Sequence, residues 1–251
     1  MELIFSEHAV APEPVIETHN DGPRIRGTSK EQSSTPIDLR HPLSFWNAVR
    51  FPLQSRDSRR DILIGGLWLL VPVIGWLVNM GHRLRVVHRM QHGLTPWPAW
   101  ENPRELLRHG VVTFMGMVWY GWPGVALIGL GTTLETVGLT WVGVVLFLIA
   151  VSAIPGYMSH YCRNYDWREI FDPFRALSRV HQGGAAYWKA WSIVIPVMLC
   201  SFGGLLFLGI GFLWTSVWFW QVAAFCFATV FTQGFDLDRR GGAPEPERPD
   251  C

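Results

Sequence analysis

The sequence predicts an all-α integral membrane protein: four transmembrane helices, a re-entrant helical hairpin ahead of them, and amphipathic helices on the cytoplasmic surface. Three observations carry this. Four apolar stretches, residues 111–130, 137–159, 192–211 and 212–232, each hold about the 20 residues that a helix needs to cross a ~30 Å hydrocarbon core, and none contains Asp, Glu, Lys or Arg. A fifth apolar run, 62–80, is interrupted at Pro72. Arginines fall in blocks that alternate with bare connections.

Residues 1–40 are rich in Pro, Glu, Ser and Thr and have neither the basic start nor the apolar middle of a signal peptide, so they read as a disordered tail. The membrane domain follows from 41 to 233. Within 44–53, Phe45, Trp46, Val49, Phe51 and Leu53 make a weakly amphipathic surface helix. The run 62–80 lies between two arginine blocks, Arg40 to Arg60 and Arg83 to Arg108. Short arginine-rich loops stay in the cytoplasm, so a full span would put one block on the wrong side. With Gly65, Gly66, Pro72 and Gly75 to bend it, the run is expected to enter and leave by the cytoplasmic face; a Pro-kinked fifth span is the alternative.

After that run, Arg83, Arg85 and Arg89 are placed at the membrane interface, as are the two indoles of Pro96-Trp97-Pro98-Ala99-Trp100. Asn102, Pro103 and Glu105 mark a helix start. The connection around 131–136 has no base and holds Glu135, which places it outside. In 166–180, Trp167, Ile170, Phe171, Phe174, Leu177 and Val180 recur at steps of three and four, with Arg168, Arg175 and Arg179 off the stripe. That pattern reads as a helix lying flat in the interface, although Pro173 divides it. A bare turn near 209–211 joins the last two spans, and 234–251 reads as a second disordered tail. Both termini are then cytoplasmic. Each basic surface segment is followed by an apolar out-and-back unit: 62–80, 111–159 and 192–232.

The side chains offer little chemistry. Ionisable groups at depth mark pumps and proton paths, and the four spans have none with a fixed charge, which disfavours a coupled transporter. Polar side chains at depth are Thr113, Ser152, Ser201, Gln221 and Thr229, of which Gln221 reads as interhelical glue; a polar track through Thr113, Ser152, Ser201 and Gln221 would mark a passive channel. Small residues at Ser152/Gly156 and Gly203-Gly204 favour close helix packing. His88 and His92 share a helix face, with His82 nearby, but two imidazoles are too few for zinc. His160 and Cys162, two apart on a helix, point away from each other and do not form a nucleophile–base pair. The 4 cysteines form no CxxC. No metal, cofactor or nucleic acid is expected.

The runs ILIGGLWLLVPVIGWLVNMGHRLRVVHRM and GLTPWPAWENPRELLRHGV, then DWREIF, AYWKAW and LFLGIGFLWTSVWFWQVAAFCFATVF, resemble the prokaryotic membrane family called domain of unknown function 4013. The resemblance covers roughly 45–233. It implies a polytopic protein of the bacterial inner membrane and brings no activity. The residues themselves favour a non-enzymatic membrane organiser or the integral subunit of a larger complex, whose partners are the bilayer and either itself or another membrane protein. The alternative is a passive channel or a lipid or small-solute carrier.

Overall fold

Seven α-helices follow one another in the computed structural model, which describes residues 37–237: α1 Phe45–Arg50, α2 Arg56–Trp68, α3 Ile74–Gln91, α4 Pro103–Thr133, α5 Val137–Asn164, α6 Pro173–Ser201 and α7 Gly211–Phe235. No strand occurs among the described residues. Four helical segments, Pro103–Thr133, Val137–Asn164, Pro173–Leu206 and Gly211–Phe235, are long and apolar enough to cross a bilayer. The expected tail disorder falls on 1–36 and 238–251, outside the described residues. Residues 37–40 are described, and they are packed: Leu39 is buried, and Gln233 donates to the Leu39 and His41 carbonyls at 2.8 Å.

The apolar run 62–80 is a helical hairpin. Ser55 and Ser58 form a capping box that starts α2. The chain then breaks over residues 69–73, where Val73 takes a φ of 64°. Antiparallel return is fixed by close pairs: Asp61 with His82, Gly65 with Asn79, and Trp68 with Gly75. Gly75 is obligatory there, because a Cβ would sit 1.7 Å from the Trp68 carbonyl oxygen. Asn79 donates to the Gly65 and Gly75 carbonyls at 3.0 and 2.9 Å, which ties α3 to α2 across the hairpin.

Two helices have bounds other than those the sequence suggested. Asn102 and Pro103 start α4 as expected, but α4 then runs unbroken for 31 residues, about 46 Å at 1.5 Å per residue. The flat helix expected over 166–180 is replaced by a 3-10 turn, Trp167–Glu169, and the start of α6. Asp172 caps α6 by accepting from the Arg175 N–H at 2.9 Å, with Pro173 at the first helical position, where its missing N–H costs nothing. Asp166 caps only the short turn, accepting from the Arg168 N–H at 3.0 Å. A kink at Gly184 (φ 49°) joins the basic first part of α6 to its apolar second part. The third apolar stretch also ends early: α6 stops at Ser201, a 3-10 turn covers Phe202–Leu206, and Leu208 and Gly209 turn the chain with positive φ.

The helices thus form three hairpins in chain order, α2–α3, α4–α5 and α6–α7, matching the three out-and-back units. α7 is central: 61 % of its apolar window is buried, against 22 % for α4 and 17 % for α5. Around its C-terminal half, Phe225 stacks on Phe51 at 4.4 Å, and Phe227 and Phe231 pack on Tyr187. The outer parts of α4 and α5 touch mainly each other, through Gly124, Gly131 and Gly143, and expose Trp122, Val125, Trp141, Val145 and Leu148. The hairpin packs on α4 by backbone. A Cβ on Gly81 would lie 1.8 Å from the Leu106 oxygen, and one on Gly110 would lie 1.9 Å from the Leu77 oxygen.

Candidate binding site

α3 does not end where its apolar run ends. It carries Gly81-His82-Arg83-Leu84-Arg85 into the bundle, all buried. His82 is seated by Asp61, which is 1 % exposed. Asp61 Oδ2 accepts from His82 Nε2 at 2.9 Å and from the Ala99 N–H at 3.0 Å, while its backbone oxygen accepts from Trp100 Nε1 at 3.1 Å. The Trp100 ring stacks on His82 at 4.1 Å. Burial pulls the His82 pKa below its ordinary value, outweighing Asp61, and the Arg85 and Arg89 charges add to the shift. His82 is therefore a neutral donor to the Asp61 carboxylate at neutral pH. The knot pins both arms of the hairpin to the Pro-Trp segment.

One residue further on, Arg83 is 7 % exposed and faces two cavities. The first, about 400 Å³, lies between the hairpin and α7, against Leu69, Trp76, Phe212 and Gln221. The second, about 290 Å³, lies among α3, α5, α6 and α7, against Met158, Trp191, Val194 and Phe227. Arg83, Met117 and Trp220 line both. The guanidinium rests on the Trp220 ring at 4.6 Å; its Nη2 reaches only the Met158 sulfur at 4.0 Å, and its Nε has no partner. Among the described residues no carboxylate pairs with it. A desolvated cation–π contact contributes about 2 kcal/mol, whereas burying an ion costs several. Burial lowers the Arg83 pKa to about 10, which leaves it charged at neutral pH. Gln221, 2 % exposed, lines the first cavity with neither amide atom hydrogen-bonded.

The other residues singled out from sequence take these places. Arg85 bridges Glu105 at 2.6 Å and reaches the Glu101 carbonyl; Arg89 bridges Glu101 at 2.9 Å and reaches the Pro98 carbonyl. Both tie α3 to the loop ahead of α4, and Arg85 also to the first turn of α4, instead of lying free along a surface. Trp97 is buried and packs on Phe51 at 4.8 Å, so this indole serves the core. Trp46, Trp167 and Phe174 are exposed, and Phe171 is half-buried against Trp119 and Trp167. Arg175 and the buried Arg179 converge on Glu169. Gly65 and Gly66 make room for Asn79 and Trp214, and Gly75 and Pro72 lie at the bend.

Of the packing residues, Gly156 approaches the Ala176 carbonyl and Gly204 approaches Thr215. Gly203 faces open space, and the Ser152 hydroxyl bonds to Ile149 of its own helix. His88 gives Nδ1 to the Cys162 carbonyl, His92 to the His88 carbonyl and His160 to the Gly156 carbonyl. Among the described residues no three His, Cys, Asp or Glu side chains gather as a metal site. Sequence reasoning missed Asp61, which ends a Ser-Arg-Arg-Asp run that reads as solvated charge; its partner is 21 residues away. The signals for Gly81 and Gly110 were present as lone glycines in helical patterns, but close approach needs a partner helix to be visible.

The family model described as a protein of unknown function (DUF4013) matches residues 64–214, which run from α2 through the start of α7 and contain Arg83. The chain belongs to that family. The matched segment is narrower than the resemblance at both ends and leaves out Asp61 and Gln221. Comparison with curated proteins and with solved structures finds no match.

Proposed function

We propose that this DUF4013 protein is a non-enzymatic component of the bacterial inner membrane, organising one leaflet or a larger assembly, with both termini in the cytoplasm. The observation that supports the reading is the α2–α3 hairpin. Its arms are short: α2 has 13 residues, about 20 Å, which is too little to cross a ~30 Å core. Its bend is apolar and exposed, through Leu67, Leu70, Val71, Val73 and Ile74. On the α4 side the bend lies against the first half of that helix, where Trp76 packs on Phe114 at 5.2 Å. A hairpin of this form occupies one leaflet and returns, leaving the flanking arginine blocks on the cytoplasmic side.

The test is an accessibility tag ahead of Met1, combined with single cysteines at Val71 and Arg60. Neither the tag nor either cysteine should be labelled by an impermeant reagent outside intact cells. Labelling of the tag from outside overturns the hairpin. Gentle extraction tests the assembly: a lone, monodisperse protein that transports a solute in liposomes overturns the organiser reading.

A second reading, a carrier of small amphiphiles, is favoured by the two cavities, whose walls are mostly apolar. A polar channel is not favoured. Of Thr113, Ser152, Ser201 and Gln221, only Gln221 lines either cavity, and the Ser152 and Ser201 hydroxyls bond to their own helices.

A further inference from the structure

Resting on the carrier reading, we propose that Arg83 and Gln221 form the head-group site for an anionic amphiphile whose hydrocarbon chain lies in the adjoining apolar cavities. Four features of the molecule converge on this ligand class. The cation is built in: α3 fixes it next to the Asp61–His82 knot, Gly81 holds that stretch of helix against α4, and Trp220 supports one face. Its unmet capacity is specific, because Nε is a buried donor without an acceptor and Nη2 has only a thioether. A carboxylate or phosphate oxygen supplies what a guanidinium fork binds best.

Gln221 adds a second unsatisfied polar group, on α7, in the wall of the first cavity. Its amide can donate to an anionic oxygen and accept from a hydroxyl. Beyond these groups the walls are those of a hydrocarbon site: Leu69, Trp76 and Phe212 on one side, Met158, Val194 and Phe227 on the other. The two cavities, about 400 and 290 Å³, fall in the range of small-molecule sites. Arg83 lines both, so a chain can run from the head group into either.

Neither Arg83 nor Gln221 belongs to the helix ends or to the interfacial clusters. Arg85, Arg89, Arg175 and Arg179 all have carboxylate partners. Arg83 alone of these faces apolar space without one.

The test uses the full chain purified in a neutral detergent, with oleate, dodecyl phosphate and oleyl alcohol as probes and native mass spectrometry as the readout. Wild type should retain oleate, dodecyl phosphate or both at least tenfold more tightly than oleyl alcohol, and the preferred acid identifies the head group. Arg83→Gln should lose that preference by tenfold or more, Arg83→Lys should keep part of it, and Gln221→Leu should weaken it without abolishing it. Arg83→Gln binding the acids as well as wild type overturns the head-group assignment and leaves the carrier reading standing. Equal retention of acid and alcohol by wild type does the same, whether or not the variants fold. Failure of wild type to retain any of the three probes overturns both.

Discussion

Replacing Asp61 with Ala removes two charge-assisted hydrogen bonds at once, from His82 Nε2 at 2.9 Å and from the Ala99 N–H at 3.0 Å, in a site 1 % exposed. Hydrogen bonds to charged groups contribute about 1.5–3 kcal/mol each, and a buried donor left without an acceptor costs about 1–3 kcal/mol. The expected loss for Asp61→Ala is therefore about 3–6 kcal/mol, a large share of the ~5–15 kcal/mol that holds a domain together. Asp61→Asn, with its amide oxygen at the Oδ2 position, keeps an acceptor for both His82 and the Ala99 N–H but removes the charge that strengthens the two bonds. It should lose about half as much. The assay is SDS-induced unfolding in mixed micelles, followed by tryptophan fluorescence, with the pair Gly65→Cys and Asn79→Cys reporting hairpin closure by disulfide formation. A loss within about 0.5 kcal/mol for Asp61→Ala, of the order of an ordinary surface change, would refute the knot as the hairpin's fastening.

Gly81→Ala should destabilise strongly, since its Cβ meets the Leu106 carbonyl at 1.8 Å and forces α3 from α4, whereas Gly129→Ala, with open space around it, should be neutral or slightly stabilising in the same unfolding assay. The pH dependence follows from neutral His82. Its folded pKa lies below 6.5, so as pH falls through 6.5 the unfolded chain takes up a proton that the folded chain refuses, and the stability present above that pH is progressively lost. The stability difference between wild type and His82→Gln should accordingly shrink between pH 7.5 and pH 5 when both are titrated with SDS. Arg83→Leu should raise the melting temperature of the lipid-free protein, because an apolar side chain in place of a buried, unpaired ion is often stabilising by about 1–4 kcal/mol. A fall in melting temperature would show that Trp220 alone compensates the charge.

Hydropathy and charge made the outline legible. A helix that faces lipid has to be apolar along its length, so the four long segments and the turn at Glu135 could be read off directly. The hairpin was legible for a local reason: Gly65, Gly66, Pro72 and Gly75 are punctuation visible without a fold. Where helices end was less legible, since a charge does not stop a helix; α4 begins eight residues before residue 111 because Pro103 sets its start. The same effect hid α6, where the capping Asp172 outweighed an apolar stripe starting at Trp167. The candidate site was nearly invisible. Arg83 sits in a row of arginines whose sequence is uniform, and only the fold gives Arg85 and Arg89 carboxylates while denying one to Arg83.

The far ends of α4 and α5 form a two-stranded ribbon held in register by glycines, with Gly124 and Gly143 facing each other's backbones. Such a ribbon has no tertiary scaffold of its own, and its bare flanks of Trp122, Trp141 and Leu148 are satisfied by acyl chains. Bilayer thickness then becomes part of this protein's folding medium: thin lipid would leave the ribbon's tip in water, while the α7 half, enclosed by its neighbours, would hold its shape.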